Sequence, residues 1–167
     1  NSITSYFHFE YKECCFININ EFWDLYLRYM DKNSLNKNQK IILEEKGTEA
    51  AFSGDLLYNK EKGFYSCVGC GNKLFSSDKK YDSGSGWPSF YDIYNSKSIK
   101  TEIDYSHGMK RTEVICYNCS GHLGHVFDDG PEETGKRYCI NSKILTFYKK
   151  WKVLLELILV GPSQKLD

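Results

Sequence analysis

Hydrophobic and polar positions change rhythm along the 167-residue chain. Near the start, Phe22, Trp23, Leu25, Tyr26, Tyr29 and Met30 recur at helical spacing behind Asn20, whose side chain can accept from the free amides of a first turn. Their aromatic stripe reads as a packing face. A second short helix is predicted around Ile41, Ile42 and Leu43, because Asn36 followed three residues later by Gln39 makes a capping-box-like pair. Gly47 is placed at its C′ position. From Phe52 to Phe147 the pattern shifts to short runs rich in aromatic and β-branched residues, such as Gly63-Phe-Tyr-Ser-Cys67 and Arg111-Thr-Glu-Val-Ile-Cys116, broken by Gly, Asp, Asn and Ser. That pattern predicts a mainly β domain. The last stretch, Trp151 to Val160, is too continuously apolar for its period to decide between helix and strand, and Gly161-Pro162 ends it.

Length and charge narrow the classes of function. A chain of this size fits one domain with extensions. Lys and Arg number 22 and Asp and Glu number 22, so no excess positive charge exists to neutralise a phosphate backbone, and nucleic acid is excluded as an expected partner. No apolar run reaches the roughly 18 to 20 residues of a membrane span, and Val153 to Val160 is interrupted by Glu156. A membrane is likewise not an expected partner. Asn1 to Glu10 shows neither a basic n-region nor an apolar h-region.

Seven cysteines change the picture. Four form two CxxC pairs, Cys67-Val-Gly-Cys70 and Cys116-Tyr-Asn-Cys119, which is a metal-ligand spacing more than a secreted-scaffold spacing. A reducing compartment follows, and a cytoplasmic location is expected. Each pair places two thiolates on a tight turn, and together they supply the four soft ligands that tetrahedral zinc prefers. Gly69, Gly71 and the Ser120-Gly121 pair suit such a turned backbone. The site reads as structural, since four protein ligands leave no open position. Redox-active CxxC pairs or disulfides are the competing reading.

Of the remaining cysteines, Cys14 and Cys15 lie in the N-terminal extension and Cys139 sits in Arg137-Tyr-Cys-Ile-Asn-Ser142. In a strand Arg137 would share a face with Cys139 and stabilise its thiolate, although a buried inert cysteine fits the same local sequence. Gly121-His-Leu-Gly-His-Val-Phe-Asp-Asp-Gly-Pro131 adds His122 and His125, with two aspartates following, just after a candidate zinc ligand. A histidine pair, a spare cysteine and an arginine are the parts of an acid-base-assisted thiol reaction. In Tyr81-Asp-Ser-Gly-Ser-Gly-Trp-Pro-Ser-Phe90, Trp87 can wall a pocket for an apolar group.

These segments together resemble the methionine sulfoxide reductase B family. The likeness runs from Leu35 to Phe147 through Gly47-Thr-Glu49, both CxxC pairs, Ser83-Gly-Ser-Gly-Trp-Pro-Ser-Phe90, His122-Leu-Gly-His-Val-Phe127, Asp129-Gly-Pro131 and Arg137-Tyr-Cys-Ile-Asn-Ser142. Residues 1–34 then form an N-terminal extension and 148–167 a C-terminal tail. The resemblance implies a β-tent of two antiparallel sheets with short N-terminal helices and one structural zinc. It implies reduction of the R epimer of methionine sulfoxide in proteins or peptides, a repair of oxidative damage, by a monomer that thioredoxin or another thiol recycles. Cys139 would attack, Arg137 would help its ionisation, and His125 with Asp129 would support proton delivery to the sulfoxide oxygen. His122 and Asn141 would line the site, and Trp87 would pack on the substrate methyl group.

The chemistry fits these residue types, because the sulfoxide oxygen must be protonated as it leaves and Cys139 must end as a sulfenic acid. Many members of the family carry a resolving cysteine where this chain has Ser85. A hydroxyl cannot form a disulfide, so recycling falls to Cys14, Cys15 or an external reductant. Two rival readings are a non-catalytic binding module on the same scaffold and a nucleic-acid zinc ribbon. A binder has no need of Cys139, Arg137 and the histidines together, and a ribbon needs a basic face.

Overall fold

The computed structural model describes residues 35–150. The Asn20-capped segment, Cys14, Cys15 and the apolar stretch from Trp151 lie outside the described residues. No helix among the described residues is long and apolar enough to cross a membrane.

Helix α1 (Lys37–Glu45) starts as its sequence predicts. Asn36 Oδ1 accepts from the Gln39 amide and Gln39 Oε1 accepts from the Asn36 amide, each at 3.0 Å, completing the capping box. Its buried residues are Ile42 and Leu43. Gly47 follows the C-cap Lys46 and so takes the expected C′ position, but it is not the residue that turns left-handed. Lys46 takes the left-handed conformation at φ 57°, and the Gly47 amide closes onto the Ile41 carbonyl at 3.0 Å. A lysine in that position carries its ammonium to Glu113 Oε2, 2.7 Å away, an interaction that glycine could not make.

The strands are β1 (Gly63–Cys67), β2 (Lys73–Ser76), β3 (Lys80–Tyr81), β4 (Ser89–Phe90), β5 (Ile99–Asp104), β6 (Arg111–Cys116), β7 (His122–Phe127), β8 (Arg137–Ile140) and β9 (Leu145–Lys149). They form two antiparallel sheets, β2-β1-β9 and β3-β4-β8-β7-β6-β5, so the mainly β, two-sheet expectation holds. Strand β9 pairs with β1 as far as Lys149, past the Phe147 boundary set by the motifs. At the outer edge of the larger sheet, β5 exposes Lys100, Thr101 and Glu102, polar residues that discourage pairing with another chain.

Aromatic residues join the sheets. Phe75 of β2 stacks on Phe90 of β4 at 4.3 Å between centroids, and Tyr65 of β1 meets Phe90 edge-on at 5.1 Å. All three are fully buried with Leu74, Val114, Leu123, Ile140 and Ile144. This core fixes β4 and β8 side by side, and with them the row of candidate site residues that crosses the sheet.

Candidate active site and metal centre

Six residues face one another in register across the larger sheet: Tyr81, Ser89, Cys139, His125, Glu113 and Glu102. Directly paired residues project to the same face, so the row brings a thiol, an imidazole and a buried carboxylate together. Strands β7 and β8 approach closely here. A Cβ on Gly124 would lie 2.0 Å from the Cys139 carbonyl oxygen, which reserves that position for glycine.

An unbroken strand would send His122 and His125, three residues apart, to opposite faces. A register shift between Val114 and Ile115 pairs Val114 with Gly124 and Ile115 with His122, leaving an extra residue in β7. Both histidines then reach the same region, with ring centroids 5.4 Å apart. His122 Nδ1 lies 2.7 Å from Glu113 Oε1, and the two side chains are 2% and 1% exposed. Burial pushes the His122 imidazole below its ordinary value, against the pull of Glu113. Burial also works to raise Glu113, but Lys46 and then His122 outweigh it and hold this carboxyl below its ordinary value. A neutral His122 therefore donates from Nδ1 to Glu113. Its Nε2 is buried and has no partner among the described residues.

His125 is held differently. Its Nε2 lies 2.9 Å from Asp104 Oδ2, and Arg111 reaches the same oxygen at 2.8 Å. The Ser106 amide and His125, in that order, lead the interactions that hold the Asp104 carboxyl far below the carboxylate range. Asp129, which the resemblance puts to work with His125, pairs instead with Arg137 through two contacts of 2.8 Å. Arg137 also stacks over Phe127, 4.5 Å from the ring centre.

Cys139 lies on β8 two residues from Arg137, the alternation read from the sequence. Burial pushes its thiol above the ordinary value, while Ser85 and then Arg137 pull it down. Arg137 thus favours ionisation without overcoming desolvation. Ser85 Oγ stands 3.8 Å from the Cys139 sulfur, so this serine faces the thiol. Asn141 is buried and spends its amide on the fold: Oδ1 accepts from the Glu49 amide and Nδ2 donates to the Leu123 carbonyl, each at 3.0 Å. Trp87 Nε1 donates to the Glu49 carbonyl at 3.1 Å. The Glu49 carboxylate accepts from the Ser142 and Lys143 amides at 2.6 and 3.0 Å, locking the segment before Trp87 to the turn after Cys139.

Sequence reasoning assigned no role to Asp104, Glu113, Lys46 or Glu49. Glu113 was not singled out, since it stands between Thr112 and the short apolar run that leads to Cys116. Asp104 carried no signal, since its contact with His125 spans two strand connections.

The four cysteines of the CxxC pairs come together. Their sulfurs lie within 4.8 Å of one another, with Cys67 to Cys119 at 3.7 Å and Cys70 to Cys116 at 3.5 Å. Zinc with Zn–S bonds of about 2.3 Å gives tetrahedral edges of about 3.8 Å. Disulfide sulfurs sit about 2.05 Å apart, and all four cysteines are free thiols here. The two turns repeat each other. The Gly71 and Ser120 amides bond back to the Cys67 and Cys116 carbonyls at 2.8 and 2.9 Å, and both residues have positive φ. Leu43 of α1 seals the pair, and a Cβ on Gly121 would lie 2.7 Å from its Cδ2. Asn72 Nδ2 approaches Cys116 Sγ at 3.7 Å, a donor suited to a thiolate. This donor set fits a four-coordinate soft cation.

Comparison with known proteins converges on one kind of relative. The family model described as SelR domain matches residues 35–149. A peptide methionine sulfoxide reductase MsrB of Methanosarcina mazei is 57% identical over 119 residues, covering 71% of this chain and 85% of that protein. The protein of the same name from Leptospira interrogans is 56% identical over 119 residues, covering 71% and 91%. The mitochondrial methionine-R-sulfoxide reductase B3 of Mus musculus is 52% identical over 116 residues, covering 70% of this chain and 46% of that protein.

Proposed function

The chain belongs to the SelR domain family, to which the methionine sulfoxide reductases B belong, and from that premise we propose how its residues reduce methionine-R-sulfoxide. The observation that carries the reading is the pairing of Cys139 with His125 across β8 and β7, beside Arg137 and next to a second histidine.

The Cys139 thiolate attacks the sulfoxide sulfur, the oxygen takes up one proton, and the S–O bond is exchanged so that methionine leaves and Cys139 holds a sulfenic acid. Arg137 supplies positive charge beside the attacking sulfur, and Asp129 fixes the guanidinium. His125, anchored through Nε2 to Asp104, keeps Nδ1 for the proton that the oxygen requires. His122 Nε2, unprotonated and buried, accepts a hydrogen bond from the protonated oxygen or from a water beside it. Trp87, held at the rim by Glu49, packs on the substrate methyl group, and Asn141 keeps β7 and the turn after β8 in register. Two external thiols, from thioredoxin or a small dithiol, return the sulfenic acid to thiol and release water.

Cys67, Cys70, Cys116 and Cys119 would hold one zinc ion. When bound it serves structure rather than the reaction, closing a long loop and fixing where the strand bearing both histidines begins.

Turnover of peptides carrying R or S methionine sulfoxide, with dithiothreitol as reductant, tests the reading. Consumption of the R epimer alone is expected. Equal consumption of both epimers, or of neither, would overturn it.

A further inference from the structure

The Ser85 hydroxyl that faces Cys139 is not isolated. Ser83 Oγ donates to Ser85 Oγ at 2.9 Å, Ser83 and Ser89 Oγ lie 2.7 Å apart, and Ser85 Oγ lies 3.8 Å from Cys139 Sγ. Each hydroxyl carries one proton. Ser83 commits its proton to Ser85, so the short Ser83–Ser89 contact requires Ser89 to donate. The Trp87 carbonyl, 3.2 Å from Ser89 Oγ, is the longer alternative for that proton. The Ser85 proton is then left for the cysteine sulfur. Ser89 is 1% exposed and faces Cys139 in register, so the far end of the chain is fixed by the sheet. The Ser85 amide, 3.4 Å from Ser83 Oγ, adds a local contact that keeps the turn closed.

We infer that Ser89, Ser83 and Ser85 form a directed hydroxyl chain whose last member donates a hydrogen bond to the Cys139 thiolate. Ser85 thereby becomes a catalytic residue that touches the reacting sulfur, with Ser83 and Ser89 as positioning residues acting through it. The inference rests on the reading of Cys139 as the attacking thiol. A thiolate in this half-buried strand has lost part of its hydration, and a hydroxyl donor returns one of the lost hydrogen bonds. Other groups also face Cys139. Arg137 on its own strand pulls its ionisation down and Asp129 opposes that pull, while His125 lies across on β7 and Tyr81 lies beyond Ser89 on β3. Tyr81 also keeps a buried hydroxyl without a partner among the described residues, but Ser85 is the neutral hydroxyl in contact with the sulfur.

The test is the pH dependence of Cys139 alkylation by iodoacetamide, followed on the Cys139 peptide by mass spectrometry in the zinc-loaded full chain. Ser85→Ala should move the midpoint upward by about one pH unit, a tenfold loss of thiolate near neutrality. Ser83→Ala should move it in the same direction by less. Ser85→Thr, which keeps the hydroxyl, should restore the original midpoint, as a merely structural role for Ser85 would not require. An unchanged or lowered midpoint in Ser85→Ala, or failure of Ser85→Thr to restore it, would overturn the inference. If Ser85→Ala were unstable, an unmoved midpoint in folded Ser83→Ala would contradict the chain by itself. Alkylation needs no sulfoxide, so a chain that fails to reduce methionine-R-sulfoxide would sink the proposed function while leaving this measurement to stand or fall separately.

Discussion

Burial and Arg137 act on the Cys139 sulfur in opposite directions, and burial is the larger influence. The thiol sits above its ordinary value, so the thiolate fraction of Cys139 grows as pH rises, and changes to neighbouring charges should show as shifts of that midpoint. Asp129 provides a test of sign, because it neutralises Arg137 while itself opposing ionisation of Cys139. Arg137→Met should raise the pH midpoint of Cys139 alkylation and slow the first turnover about tenfold. Asp129→Asn should lower the same midpoint. A rise in both variants would mean that Asp129 acts by orienting Arg137 and not through its charge. The alternation of Arg137 and Cys139 along β8 was legible in the sequence because a strand has a period of two. The carboxylates on the histidines were not, since Asp104 and Glu113 reach them only after β5, β6 and β7 have paired.

At the scale of elements, local chemistry and tertiary pairing contribute unequally to what could be read. The start of α1 follows from Asn36 and Gln39 alone, since both halves of the capping box lie within one turn. Asn36→Ala should cost about 1 kcal/mol, measured as a lower urea midpoint at unchanged slope. An unchanged midpoint would show that the rest of the fold, not this cap, holds α1 in place. The end of α1 falls where Gly47 put it, but that Lys46 and not the glycine turns left-handed was not legible, because the determinant is not local. Lys46 adopts a left-handed conformation beside a carboxylate on β6 that the helix sequence does not mention. The same limit applies to β7. His122 and His125 were recognised as a pair, but the two share a region only because the pairing with β6 slips between Val114 and Ile115. No alternation within His122-Leu-Gly-His125 announces that slip, and Gly124, which permits the close approach to β8, is its only local trace.

For the whole molecule, the two sheets meet on a small aromatic core while the cysteine cluster gathers two turns that begin 49 residues apart, Cys67 and Cys116. The four-cysteine cluster was the most legible feature, because CxxC spacing states its own geometry whatever lies between the pairs. Zinc removal by a chelator should therefore cost the native fold and not only activity, seen as loss of near-ultraviolet circular dichroism in step with zinc release. A metal-free chain with an unchanged urea midpoint would contradict a structural role. The central claim, that Cys139 takes the oxygen from methionine-R-sulfoxide, is tested most directly by one equivalent of an R-sulfoxide peptide added without reductant. Methionine should form in a single burst equal to the enzyme, with the Cys139 peptide one oxygen atom heavier, or converted by dimedone to a thioether with loss of that oxygen as water, and Cys139→Ser should form none. Oxygen recovered on another residue, or methionine released by Cys139→Ser, would contradict the account.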